Sequence, residues 1–361
     1  MEAAKPTVLV TGIAGNLGLR LLPQLEDFFV VGVDINTPTT TAAVHFVRLD
    51  LGLEESCRRL YHLLRETRPV AVIHLAFVID PVRIGIFDLN RMWQINVAGT
   101  ARVMEAITEA NRNEDDAVKQ FIFPSSVSAY GPDLPGPVME DFPLDAHTLP
   151  YAIHKRESDE VVRQRAPALR GCSVYIFRPH IFAGSTMDNY LIGAFRGTPN
   201  GRSRRAERMR QRGKRLPCLL PFGQRYLDNK IQFVHVDDMA RLIAHVLRRE
   251  PEAQRLTVLN VAGQGVPLDF SRCIDMAHAR LLRVPGKAAM RGVLRFLWKR
   301  GISAIPPEAL PYMTGEYIMN TDRLRKFLGA DYGQVIRYSV ADAFADCFTT
   351  SESAVAQSAA T

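Results

Sequence analysis

The chain has 361 residues, 47% hydrophobic and 23% charged, which excludes both a disordered chain and a mini-protein that needs staples. At ~150 residues per domain it holds roughly two domains' worth of material. The formal net charge of +7 is local, because the stretch from Arg196 to Arg215 carries nine basic residues and one acid, Glu207, and the remainder is close to neutral. Five scattered cysteines (Cys57, Cys172, Cys218, Cys273, Cys347) without a C-x-x-C pair exclude a disulfide framework or a structural zinc site and read as reduced thiols. The longest nearly uncharged apolar run, residues 70–79, is about half the ~20 residues of a membrane span. The N-terminal MEAAKPT leads straight into an apolar strand without a secretory signature, so a cytoplasmic protein is expected.

Short β-branched runs alternate with helical patterns along the first half. Strands are predicted at 7–10, 30–33, 45–49, 70–75, 120–123 and 174–177, with a further run at 231–236. Helices are predicted at 17–26, 53–66 and 89–111. Apolar strands separated by helices indicate a doubly wound α/β fold, a parallel sheet covered on both faces. Residues 196–228 and 267–311 break the alternation with Pro, Gly and irregular apolar runs. They are assigned to a smaller substrate lobe interleaved with the sheet. The expected partition is 6–185, with 230–262 returning, for the nucleotide-binding domain, 186–229 and 263–348 for the lobe, and 349–361 as a flexible Ser- and Ala-rich tail.

The first strand runs into TGIAGNLG, which places Gly12, Gly15 and Gly18 three residues apart before an apolar helix. Glycines there permit a tight turn, close approach of backbone to a pyrophosphate and close helix packing, with the anion on the helix N-terminus. Asp34 ends the next strand, 22 residues after Gly12, where a carboxylate can accept from a ribose hydroxyl. It would repel a 2′-phosphate, and no Lys or Arg lies between Asp34 and His45 to offset it, so NAD is favoured over NADP. Asp50 and Leu51 end the third strand, where they could meet the adenine ring; turn capping is the alternative for Asp50.

Farther along, YAIHK places Tyr151 and Lys155 four apart just after Pro150, a helix start, so both project from one face. A nearby ammonium favours a phenolate and brings Tyr toward useful acid/base range. The strand at 120–123 ends in PSSVSAYG, presenting Ser125 and Ser126 at the carboxyl end of a parallel strand, where open α/β sheets bind ligands.

TGIAGNLG, Asp34, Asp50-Leu51, HLAF (74–77), INVAGT (95–100), PSSVSAYG, YAIHK, FRPHIFAG (177–184) and FVHVDD (233–238) together resemble the extended short-chain dehydrogenase/reductase family, the NAD-dependent epimerase/dehydratase group, over roughly residues 6–265. The resemblance implies a Rossmann-type sheet domain with a small C-terminal lobe. It implies Tyr151 as acid/base, Lys155 lowering its pKa and holding the nicotinamide ribose, Ser126 orienting the substrate hydroxyl with Ser125 as second choice, and Asn96 in a proton relay or on a structural water. It places Gly12, Gly15, Asn16, Leu17, Gly18, Asp34, Asp50, Leu51, Leu75, Ala76, Tyr151, Lys155 and Pro179 around NAD. A homodimer is implied by the resemblance alone.

Nucleotide-sugar members often carry Asn three residues after the arginine of R-x-x-N, and here Ile181 holds that place after Arg178. His180 and Asn189 are the nearby substrate candidates. His235, Asp237 and Asp238 open a helix from Met239, and no metal is expected. The apolar residues of 288–313 either line a lipophilic pocket or lid or pack the lobe core. The expected substrate is a small molecule, not a nucleic acid; the basic stretch reads as a solvated loop, with an anionic substrate or membrane surface, and after those a nucleic acid, as the alternatives. Three functions compete: an NAD-dependent epimerase/dehydratase, with a nucleotide sugar as one candidate substrate, a net NAD(P)-dependent dehydrogenase/reductase of a lipophilic alcohol or ketone (3-beta-hydroxysteroid or dihydroflavonol type), and a dinucleotide-binding scaffold without turnover. The combination of Ser126, Tyr151 and Lys155 argues against the last.

Overall fold

The structure, a computed structural model, describes residues 5–79, 88–112, 118–251 and 255–349; all of the expected tail beyond Thr349 lies outside them. Six strands, β1 (Thr7–Thr11), β2 (Phe29–Asp34), β3 (His45–Arg48), β4 (Ala71–His74), β5 (Gln120–Pro124) and β6 (Ser173–Pro179), join Leu256–Val261 in one seven-stranded sheet. All its pairings are parallel, in the order Leu256–Val261, β6, β5, β4, β1, β2, β3. The order reverses between β1 and β4, so a crevice opens at their carboxyl ends.

Successive strand side chains point to opposite faces, so one strand feeds two cores. Val8 and Val10 of β1 pack with Met239, Leu242, Ile243 and Val246 of the helix Val236–Leu247. Leu9 turns the other way, onto Leu60 and Leu64 of the helix Ser56–Thr67 and Met104 and Ile107 of the helix Gly99–Ala110. Each such side chain, buried essentially completely, contributes about 1.5–3 kcal/mol relative to exposure.

The local reading departs from the structure where tertiary contacts override pattern. The expected helix at 17–26 ends at Leu21 and continues as a 3-10 turn, Leu22–Gln24, since Pro23 has no N–H for a helical bond. The expected continuous helix at 89–111 is Leu89–Trp93, a π-turn at Gln94–Ala98 and Gly99–Ala110. The run 231–236 splits: Lys230–Ile231 pairs antiparallel with Leu268–Asp269, whereas Phe233–His235 pairs parallel with Ile181–Ala183. The helix that follows starts at Val236 rather than Met239, because the His235 ring caps it by accepting from the Asp237 N–H. The edge strand Leu256–Val261 lies outside the strands expected from the sequence; its apolar run is recruited by β6.

Outside the large sheet, Phe195, Phe233, Phe270 and Phe344 form one apolar cluster. A second unites Leu219, Val284, Met290, Leu294, Ile305, Leu310 and Met313. The segment 288–313 therefore packs mainly as core, although Phe296 and Trp298 stay 50% and 41% exposed. No helix among the described residues is long and apolar enough to cross a membrane.

Candidate active site

The crevice between β1 and β4 is lined by the glycine turn. Gly12 has φ +73° and lies so close to Leu75 and Ala76 that a Cβ would fall 2.5 Å from the Ala76 nitrogen. At Gly18 a Cβ would fall 2.5 Å from the Ile13 carbonyl oxygen, so this glycine lets the helix Asn16–Leu21 sit against its own turn. Gly15 differs: it is exposed, meets only the Gly12 carbonyl, and heads that helix with no side chain capping it. Asp34, at the end of β2, accepts from the Ala14 and Asn36 N–H groups at 3.0 Å each, which holds its carboxylate beside the turn. Bare backbone at a helix head with a carboxylate next to it fits a dinucleotide whose ribose carries free hydroxyls. Asn16 donates to the Thr186 carbonyl and Leu17 packs on the first core.

Under the turn, His74 links the two central strands. The Thr100 hydroxyl donates its single hydrogen to the Asn96 carbonyl at 2.6 Å, so His74 Nε2 must donate to Thr100 Oγ1 and its Nδ1 must accept from Thr11. Burial, with the Lys155 charge adding to it, pushes the His74 pKa down to about 3, and the ring stays neutral.

Tyr151 and Lys155 lie on the first two turns of the helix Pro150–Arg165, whose N1 proline has the φ a helix start requires. The Phe77 ring fits against both, edge-on to Tyr151 at 5.9 Å and with Lys155 Nζ 3.6 Å from its centroid. Lys155 Nζ donates to the Pro124 carbonyl at 2.7 Å, which ties the helix to the end of β5. Ser126, the next residue but one, accepts from the Ser128 N–H and hydroxyl. The Ser126 and Ser128 hydroxyls act to lower the pKa of the Tyr151 phenol, but burial outweighs them and holds it above the ordinary value. The cation expected to lower it is instead directed at Pro124 and Phe77 here. Among the described residues, the buried Ser125 Oγ has no hydrogen-bond partner.

Several other residues singled out from the sequence are occupied structurally. Asn96, in the π-turn, accepts from the Val78 N–H at 2.6 Å and donates to the Val78 carbonyl at 3.0 Å, bracketing that backbone next to His154. Asp50 accepts from the Gly52 N–H and pairs with Arg91, which is the capping alternative. Leu51 is buried in the second core, and Pro179 pairs with Val261 at the end of β6. The two substrate candidates also make structural contacts. His180 accepts from the Ile181 N–H and its other ring nitrogen faces the Tyr317 carbonyl; Asn189 caps the helix Tyr190–Arg196 and donates to the Phe182 carbonyl. Both ring nitrogens of His180 are engaged, and Asn189 keeps one amide N–H beyond these bonds; both residues tie down the segment that leaves β6.

A sequence profile of the NAD dependent epimerase/dehydratase family matches residues 8–262. The chain belongs to that family. Its cofactor is NAD, and as a member it is an enzyme of the extended short-chain dehydrogenase/reductase type. The UDP-glucose 4-epimerase of Erwinia amylovora is 31% identical over 175 residues, 45% of this chain and 49% of its own length, so the chain spans about half of that relative. The bifunctional UDP-glucose and UDP-xylose 4-epimerase 3 of Arabidopsis thaliana is 27% identical over 66% of this chain and 70% of its own. Among solved structures, the UDP-glucose 4-epimerases of Thermus thermophilus with NAD and Bifidobacterium longum with NAD+ and UDP share the fold. Their TM-scores are 0.64 and 0.65 at 18% and 16% identity, covering 95% of this chain and 98% and 97% of theirs.

Three contributors of this family member's site were not assigned from sequence: Ser128, the Pro124 carbonyl and Phe77. Ser128 left a trace in the S-x-S spacing of PSSVSAYG, but only the 3-10 turn Val127–Tyr130 folds it onto Ser126. The Lys155 environment also makes stability depend on pH. Burial brings its pKa down from 10.5 to about 7, against the opposing pull of Asp159. Between those values the unfolded chain binds a proton that the folded chain does not, so the unfolding free energy rises with pH across that window. Urea midpoints over this range should climb in the wild type and flatten in Lys155→Met; an unchanged slope in the variant would remove Lys155 as the cause.

Proposed function

We propose that this chain is an NAD-dependent epimerase of a nucleotide sugar, oxidising a ring hydroxyl carbon and reducing it again from the opposite side. The observation that carries the reading is the Tyr151 phenol on the Ser126 and Ser128 hydroxyls at the carboxyl end of β5, with Lys155 one turn on, beside the crevice of the glycine turn. When bound, NAD supplies the two-electron acceptor and donor for the reacting carbon. Tyr151 takes the hydroxyl proton in the oxidising direction and returns it in the reducing one. Ser126 holds the substrate oxygen against the phenol, and Ser128 fixes the Ser126 hydroxyl by donating to it. Lys155, once drawn off Pro124 toward ribose hydroxyls, brings positive charge nearer the phenol and opposes the effect of burial. Asp34 holds the other ribose, and the exposed Gly15 backbone the pyrophosphate.

The similarity of the curated relatives supports the sugar nucleotide, and the resemblance supports a cytoplasmic homodimer whose substrate lobe is 186–229 and 263–348. A net dehydrogenase of a lipophilic alcohol is the second reading, favoured by the apolar cluster of Met290, Leu294, Ile305 and Met313 against which Tyr151 packs. Incubation with UDP-glucose and NAD, followed by proton NMR and by absorbance, separates the two. The proposal expects UDP-galactose to accumulate without NADH in solution. NADH formed in step with a lipophilic alcohol, with no turnover of the sugar nucleotide, would overturn it.

A further inference from the structure

Residues 196–215 and 286–302 hold 14 of the chain's 45 Lys and Arg and one of its 38 acids, leaving 31 basic against 37 acidic residues elsewhere. The fold brings these distant stretches together. The Gly201 N–H donates to the Ile302 carbonyl and the Ser203 N–H to the Gly301 carbonyl, both at 3.0 Å, and Asn200 accepts from the Ala304 N–H. A Cβ on Gly201 would fall 2.1 Å from the Gly301 oxygen, so the backbones are in direct contact. The end of the helix Gly286–Lys299 therefore abuts the start of the helix Arg204–Gln211, which Ser203 caps.

Both helices turn cations outward. Arg204, Arg205 and Arg208 are exposed on the shorter one, and Arg212 is exposed just past its end. On the longer one, Met290 and Leu294 are buried, while Lys287, Arg291 and Arg295 are exposed at four-residue spacing. At 3.6 residues per turn Trp298 falls on that same stripe. Trp298 is 41% exposed, and Phe296, 50% exposed, projects beside Arg300, whose guanidinium lies 5.0 Å from its ring. Large exposed aromatics among cations suit the boundary between lipid headgroups and acyl chains.

We propose that the outer faces of helices Gly286–Lys299 and Arg204–Gln211 form one docking surface for an anionic lipid bilayer. The cations attract the headgroups, and Trp298, on their stripe, enters the interface; Phe296, about 160° around the helix from it, flanks the contact beside Arg300. The inner face of Gly286–Lys299 packs in the same cluster as Tyr151, so the docked surface lies on the outside of a wall of the candidate site. The proposal stands independently of the sugar-nucleotide reading.

The test is sedimentation of the full chain with phosphatidylcholine vesicles, with and without phosphatidylglycerol. The bound fraction should rise at least about tenfold with the anionic lipid and fall as salt screens the charges. Arg291→Glu/Arg295→Glu should cut binding by about tenfold or more, and Phe296→Ala/Trp298→Ala should weaken it at constant charge. In a Trp93→Phe background, Trp298 emission should shift to the blue on anionic vesicles only. Equal sedimentation with both vesicles, binding indifferent to the aromatic pair, or tighter binding of DNA than of anionic vesicles at the same salt would each overturn it.

Discussion

Tyr151→Phe lowers kcat by about 10²–10⁴-fold, the usual worth of a positioned acid/base, or ~2.7–5.5 kcal/mol of barrier. The phenol hydroxyl is the only proton-transferring atom the change removes, and the ring keeps its place edge-on to Phe77. The helix keeps its proline start and its Lys155 anchor on the Pro124 carbonyl. NAD affinity should accordingly shift by less than about tenfold, ~1.4 kcal/mol. Turnover by NMR beside a calorimetric titration with NAD separates the two quantities. Turnover within a few-fold of wild type would remove the phenol from the chemistry. A parallel collapse of NAD affinity would make Tyr151 a binding residue. Ser128→Ala gives a smaller, graded loss, since Ser126 keeps its own hydroxyl.

The second large effect concerns stability. Arg178 and Asp159 are fully buried and paired through two bonds of 2.9 Å, and Arg178 also donates to the Tyr130 hydroxyl and the Glu140 carbonyl at 2.8 Å each. Its pKa is pushed up by the Asp159 carboxylate against the cost of burial, so the guanidinium stays charged. Asp159→Leu strands that charge in the core and should cost about 3–5 kcal/mol. Asp159→Leu with Arg178→Met removes both charges and should recover much of the loss, because a buried pair repays little beyond its own desolvation. Urea unfolding midpoints at unchanged m measure both variants. A single variant within ~1 kcal/mol of wild type would show that water reaches the pair. The pair also reaches the site: Asp159 sits one turn beyond Lys155 and clamps that helix to β6, so its loss lowers the Lys155 pKa further.

Legibility in the sequence followed the range of the forces involved. β1, its glycine turn and the start of the next helix span a dozen residues, and the pattern that forms them is written within that span. Tyr151 and Lys155 were legible for the same reason, since four-residue spacing after a proline is a local helical fact. The broken helix at 89–111 was not, because its π-turn brackets Val78 through Asn96, a partner 18 residues away. The edge strand Leu256–Val261 became a strand only through its pairing with β6.

The sequence by itself determined the alternation of strands and helices, the family, the dinucleotide turn and the identity of the acid/base pair. Each rests on backbone propensity and spacing, which neighbouring residues settle among themselves. Tertiary structure decided which polar groups remain free. His180 is consumed by a carbonyl 137 residues away, Asp50 by an arginine 41 residues away, and Lys155 is desolvated by rings from β5 and the end of β4. It also joined two cationic stretches about 90 residues apart into one surface. Hydrogen bonding and desolvation depend on what the fold brings within a few ångströms, and no local pattern encodes that distance.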